Sequence, residues 1–218
     1  MTERMSKQPT EYIPAMGRHF LLPLYDVVHH LFGLAPVHQE MVTLAALQDG
    51  HRVLDVGCGT GNLLRSTGRR HRTVDLTGLD PDPKALARAA RKTRRARLDV
   101  RLDRGFAQNL PYPDASFDRV FSSLMLHHLD SESKDALLAE VRRVLRPDGL
   151  LVLADAIAEE HGHGHQRGRM REQLHDNIGD AVSRRIAAAG FTVDPTTRTM
   201  PLRAVGRIGI ELARPTRL

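Results

Sequence analysis

The chain has 218 residues, 27% charged and 41% hydrophobic, the composition of one folded domain with at most a small appendage and not of a disordered tail. Its 32 lysines and arginines against 26 acids give +6, which raises the question of phosphate-bearing partners, yet the bases are dispersed among acids along most of the chain. The single cysteine, Cys58, excludes an intramolecular disulfide and any multi-cysteine metal site.

In chain order, residues 1–11 carry charges and lead into no apolar signal core. Residues 20–34 are too short, and too broken by Pro23, Asp26, His29 and His30, to cross a bilayer. A soluble, cytoplasmic protein is expected. Leu21, Leu22, Leu24, Val27, Val28, Leu31 and Phe32 suggest one helix that starts near Pro23. Gly33 and Pro36 interrupt it, residues 38–47 resume a helical pattern, and Asp49-Gly50 turns the chain, so residues 1–50 read as a helical cap. Residues 51–218 then form the main domain. Short apolar runs at 53–56, 74–79, 118–126 and 149–154 are predicted strands, and 61–70, 83–97 and 133–146 are predicted helices. The last helix carries Leu137, Val141, Val144 and Leu145 at helical spacing, with Pro147-Asp148-Gly149 as its stop. Residues 159–168 read as a loop, Ala189-Gly190-Phe191 as the entry to a strand, and 208–212 as a final strand. This alternation predicts βα units and a parallel sheet covered by helices on both faces.

The most informative stretch is Asp55-Val56-Gly57-Cys58-Gly59-Thr60-Gly61-Asn62. A strand ends, three glycines follow at alternate positions, and a helix begins near Asn62. Backbone can approach a ligand there without a Cβ in the way, and the helix N-terminus offers unpaired N–H groups. A tight strand-to-helix connection would use the same residues. Asp80 ends the second strand nineteen positions after Gly61, close to the roughly 20 expected of a carboxylate that holds ribose hydroxyls. Asp82 is the better candidate for capping the following helix. Asn62 stands where a dinucleotide fingerprint needs its third glycine, which disfavours NAD and FAD, and no P-loop signature occurs.

These residues resemble the first motif of class I S-adenosylmethionine-dependent methyltransferases. The resemblance continues through Gly78-Leu79-Asp80-Pro81, residues 110–118 and residues 145–151, and is nearest to the small-molecule branch that includes ubiquinone/menaquinone biosynthesis methyltransferases. Pro23-Leu24-Tyr25-Asp26 with Leu31-Phe32-Gly33-Leu34 is similar to that branch's N-terminal helix. The resemblance implies an α/β, Rossmann-like sheet of seven strands, mostly parallel with an antiparallel C-terminal strand, behind the N-terminal helical cap. It implies S-adenosylmethionine as cofactor. Gly57, Gly59 and Gly61, with Cys58 among them, would surround its methionine part, and Asp55 would lie near the ammonium. Asp80 would hold the ribose, Pro81 would pack on the adenine, and Ala107 and its neighbours would line the adenine pocket. Phe106 replaces an acid that many members use for the adenine amino group, leaving Gln108 or backbone to substitute. Tyr25 would close over the methionine end.

Methyl transfer is an in-line displacement that needs alignment above all, and a base only when the acceptor is protonated. Residues 122–130 open at the carboxyl edge of the fourth strand, so His127 and His128 are the candidate bases, Asp155 is a weaker one, and Ser122 contacts the cofactor through its backbone. His161, His163 and His165 read as a loop over the pocket, and no metal is expected. Arg88, Arg91, Arg94, Arg95 and Arg97 with Lys92 read as a solvated helix face. Aromatics at 4% and no tryptophan leave nucleic acid without stacking platforms. A small-molecule acceptor and a monomer or homodimer are expected. A non-catalytic S-adenosylmethionine-binding protein and an RNA-modifying enzyme are the alternatives.

Overall fold

The computed structural model describes residues 34–157, 180–196, 198–202 and 206–216. The expected helix around Tyr25 and the histidine-rich residues 159–168 lie outside the described residues. In chain order the elements are α1 (Leu34–Leu44), β1 (Arg52–Val56), α2 (Asn62–Arg70), β2 (Asp75–Asp80), α3 (Pro83–Arg95), β3 (Val100–Arg104), β4 (Phe117–Ser123), a 3-10 turn (Leu126–His128), α4 (Ser131–Val144), β5 (Leu145–Ile157), α5 (Ala181–Ala188), β6 (Phe191–Val193), β7 (Arg198–Leu202) and β8 (Gly206–Pro215).

The strands form one sheet in the order β3-β2-β1-β4-β5-β8-β6, with β7 also on β8. β1 to β5 run parallel, and β8 is antiparallel to β5, β6 and β7. Among the described residues there are eight strands where seven were expected, because β6 and β7 share the outer edge of β8, at its residues 213–215 and 206–210. Strand order reverses between β1 and β4, which opens a crevice beyond their carboxyl ends. β1 and β4 are buried almost end to end, as strands covered on both faces must be.

Alternate residues feed two cores. Leu54, Val56, Val120 and Leu153 pack with Leu137, Val141 and Ile186 of α4 and α5. Val53, Phe121 and Val152 pack on the other face with Val37 and Met41 of α1 and Leu64 of α2. The predicted stripe of α4 is fully in the first core. The helix itself ends at Val144, before the proline, because β5 starts at Leu145 and pairs with Phe117 ahead of a register shift. Pro147-Asp148-Gly149 therefore sits in the irregular start of a strand. Pro36 does not interrupt a helix either. It lies in the first turn of α1, where an N–H would have no intrahelical partner. β4 stops at Ser123 rather than running on to residue 126, because Leu124 turns to φ 53 and Leu126 enters the 3-10 turn. Buried Arg119 on β4 donates to the carbonyls of Ala45 (2.6 Å) and Ala46 (3.4 Å), tying the end of α1 to the sheet. Among the described residues no helix is long and apolar enough to cross a membrane.

Candidate active site

The turn between β1 and α2 is built on backbone that side chains rarely adopt. Gly57, Gly59 and Gly61 have φ of 72, 51 and 76. Gly57 and Cys58 donate to the Leu79 carbonyl at 2.8 and 3.0 Å, and Gly61 donates to Cys58 O at 2.9 Å. A Cβ at Gly57 would fall 2.6 Å from Met125 Cγ and one at Gly61 would fall 2.9 Å from Ala89 Cβ, whereas one at Gly59 would meet nothing within 4 Å among the described residues. Protein packing thus accounts for two of the three glycines, and the middle one faces open space.

Two carboxylates converge on this turn. Asp80 Oδ2 accepts from Gly59 N at 2.8 Å and Oδ1 accepts from Asp82 N at 2.9 Å. Burial raises the Asp80 pKa, and these two N–H bonds oppose the rise. Asp82 caps α3, accepting from Lys84 N at 2.8 Å. Asp55 on β1 is 2% exposed, and its Oδ2 has no hydrogen-bond partner among the described residues. Burial, then the charge of Asp80, push its pKa well above the usual carboxylate range. Ser122 Oγ, on β4 opposite Val56, is a second buried atom without a partner among the described residues.

The other predicted cofactor residues gather at the same edge. Pro81 follows Asp80, and Gly105 N donates to the Asp80 carbonyl at 3.3 Å, bringing the turn of Phe106, Ala107 and Gln108 beside it. Ala107 is buried, and Phe106 and Gln108 are half-buried. Cys58 is buried with Sγ packed over Gly78 of β2. Burial raises its thiol pKa, with Asp55 and Asp80 adding to the rise, so the thiol stays neutral. Cys58 lines a cleft with Asp55, Gly57 and Gly59 on one side and Leu34 and His38 of α1 on the other. Sequence reasoning missed His38, which is 7% exposed and has Nε2 3.2 Å from Ser123 Oγ. The signal was a histidine on the apolar helical stripe of Leu34, Met41 and Val42.

Lys92 corrects the reading of the arginine helix. Arg91, Arg94, Arg95 and Arg97 are exposed as expected. Lys92 instead turns inward, and its Nζ donates to Thr60 Oγ1 at 2.8 Å and to Asn62 Oδ1 at 2.9 Å.

After β4, Met125 packs against Gly57, and the 3-10 turn carries His127 to the end of β5. Asp155, 3% exposed, holds His127 twice: Oδ2 accepts from its backbone N–H at 3.0 Å, and Oδ1 lies 2.5 Å from Nδ1. An ionised carboxylate only accepts, so Nδ1 carries a proton, and in the neutral imidazole the lone pair is then on Nε2. His128 stacks obliquely on His127, ring centroids 4.1 Å apart. Desolvation of the His128 ring lowers its pKa to about 4, with the charge of His127 adding to the drop and that of Asp155 opposing it. The two candidate bases are therefore unequal, and Asp155 belongs with His127.

Residues 53–149 match the family of methyltransferase domains. The matched segment is less than half of the chain. Its range runs from β1 into the start of β5, and so includes the glycine turn, both carboxylates and His127. The chain is 35% identical to the demethylmenaquinone methyltransferase of Deinococcus radiodurans over 62% of this chain and 56% of that protein. It spans about half the length of the curated relatives it matches first, at 56%, 53% and 38%. Two solved structures share the fold at low identity. The [4+2]-cyclase SpnF superposes with a TM-score of 0.72 and 22% identity, over 83% of this chain and 81% of that one. A Haemonchus contortus phosphoethanolamine N-methyltransferase in complex with S-adenosylmethionine gives 0.74 and 16%, over 94% and 59%. The fold is therefore Rossmann-like, with the C-terminal strand β8 antiparallel.

Proposed function

We propose that the chain binds S-adenosylmethionine at the glycine turn and transfers its methyl group to an O, N or C atom of a small organic acceptor. The observation that carries this reading is the buried Asp55 carboxylate, whose Oδ2 has no partner among the described residues and which lines one cleft with the open side of Gly59. An unpaired buried carboxylate is costly, and a cationic ligand offsets that cost. S-adenosylmethionine brings an ammonium and a sulfonium, whereas a dinucleotide brings a pyrophosphate that Asp55 would repel. Asp80 already accepts two N–H bonds. A carboxylate has about four acceptor positions, which leaves room for ribose hydroxyls.

When bound, S-adenosylmethionine supplies a methyl group on positively charged sulfur. The protein's part is to align an acceptor behind that group and to exclude water. His127 Nε2 would accept the acceptor's O–H or N–H proton. Asp155 keeps Nδ1 protonated and stabilises the imidazolium that results. Because one relative acts on demethylmenaquinone, quinols and phenols are the first acceptors to try. The cyclase neighbour cautions that this fold alone does not dictate the reaction.

Turnover of methyl-labelled S-adenosylmethionine on a panel of quinols, phenols, amines and RNA tests the proposal. Labelled small product that depends on His127 supports it. Cofactor binding without turnover would replace it with a non-catalytic role, and label on RNA alone would replace the acceptor class.

A further inference from the structure

One helix holds three consecutive residues of the glycine turn. α3 packs Ala89 against Gly61, where an added Cβ would lie 2.9 Å from Ala89 Cβ and 3.2 Å from its Cα. One helical turn further on, Lys92 Nζ reaches Thr60 Oγ1 at 2.8 Å and Asn62 Oδ1 at 2.9 Å, the residues on either side of Gly61. Thr60 is 2% exposed, and Asn62 is the first residue of α2. Asn62 Nδ2 also meets Thr60 Oγ1 at 3.4 Å, which closes a small polar ring through the lysine. Gly61, in the N-cap position of α2, supplies no side-chain cap.

The stability of α2 does not account for this arrangement. A cation beside a helix N-terminus works against the positive end of the helix dipole. What the contact does fix is the turn. Two hydrogen bonds from a charged donor flank a residue at φ 76, and the preceding glycine, at φ 51, faces the open side of the cleft.

We propose that Lys92 is a positioning residue of the cofactor site, tying Thr60 and Asn62 to α3 so that the turn is already in its ligand-accepting shape. The proposal rests on the cofactor reading given above. Without the tie the turn samples other conformers. The ligand then binds only the competent fraction, and affinity falls in proportion.

The test is calorimetric titration of the full chain with S-adenosylhomocysteine, together with turnover at saturating S-adenosylmethionine. K92M should raise Kd about tenfold, the loss of a charge-assisted contact, while kcat at saturation stays within about twofold. T60V keeps the side-chain shape and removes one acceptor, and should weaken binding about threefold in the same direction. K92R keeps the charge and should fall between K92M and wild type, because a planar guanidinium does not reproduce both contacts. If K92M does not fold, T60V decides. Unchanged Kd in the folded variants, or a loss of kcat with Kd unchanged, overturns the proposal while leaving the cofactor reading standing. A wild-type chain that binds neither ligand overturns both.

Discussion

An alanine at Gly59 adds one methyl group at φ 51, to a position with nothing within 4 Å among the described residues. The cost to the free protein is then left-handed strain alone, about 1–2 kcal/mol. In a chain of this size each kcal/mol moves Tm by about 2–4 °C, so the unliganded variant should melt roughly 2–8 °C below wild type. The cost to the complex is greater, because the methyl occupies the space assigned to the ligand. Overpacking of that kind costs about 1–3 kcal/mol, or about five- to a hundred-and-fiftyfold in Kd. Gly61→Ala is the contrasting variant. It bears similar strain, and its methyl would also sit 2.9 Å from Ala89 Cβ and 3.2 Å from Ala89 Cα, where backbone cannot easily yield. Its melting temperature should therefore fall further than that of Gly59→Ala. Thermal melts followed by circular dichroism, with calorimetric titration of S-adenosylhomocysteine, read both quantities. Wild-type affinity in Gly59→Ala would refute the assignment of that open space to the ligand. A larger stability loss in Gly59→Ala than in Gly61→Ala would refute the packing account of the turn.

Asp55→Asn should move stability and binding in opposite directions. The folded-state pKa of Asp55 is raised, so its penalty is absent below the unfolded carboxylate pKa and grows as pH rises through the folded one. At neutral pH the variant should melt a few degrees higher, about 1 kcal/mol or more, and bind S-adenosylmethionine at least about tenfold more weakly. Asp155→Asn lets an amide N–H face His127 Nδ1 and so moves the imidazole proton to Nε2. We expect kcat to fall by about 10²–10⁴ with S-adenosylhomocysteine affinity retained, measured as turnover against pH. Arg143 binds the carbonyls of Leu110 (3.0 Å) and Tyr112 (2.8 Å) and pairs with Glu140 and Asp114. Arg143→Met should cost about 2 kcal/mol in a denaturant titration, through the loop it holds over α4.

What could be read from the sequence was what depends on near neighbours. β1, the glycine turn and Asp80 declare themselves by local spacing, and the buried stripe of α4 by its period. β3 was missed because Val100-Arg101-Leu102-Asp103-Arg104 is a charged edge strand without a continuous apolar run. β7 carries Pro201, which weakens any strand signal. The side-chain partnerships were invisible for a different reason. Lys92 lies 32 residues from Thr60, His127 lies 28 from Asp155, and His38 lies 85 from Ser123. No spacing rule links such pairs, because sheet order and not chain order makes them neighbours. Lysine among five arginines looked like solvated surface for the same reason.

The carboxyl edge of β1 and β4 gathers features that cost the free protein stability. Asp55 and Asp80 both have raised pKa values, so each is less comfortable as a charged group in the folded chain than in the unfolded one. Asp55 Oδ2 and Ser122 Oγ are buried without partners among the described residues. Leu124, not a glycine, takes φ 53 at the end of β4. Leu124 packs against the second core and Asp80 holds two N–H bonds. Asp55 Oδ2 and Ser122 Oγ stay without partners among the described residues, whereas the two cores behind them are filled on both faces of the sheet. Such a distribution has a physical reason if a ligand supplies the missing cation and donors, because its binding energy then offsets costs the free fold bears. Ligand at a hundred times its Kd adds about 2.7 kcal/mol of stability, or about 5–10 °C in Tm for a chain of this size. In Asp55→Asn that ligand-induced rise should shrink even as the unliganded protein melts higher. A variant that gained stability and kept the full rise would mean that Asp55 is strained for some purpose other than this ligand.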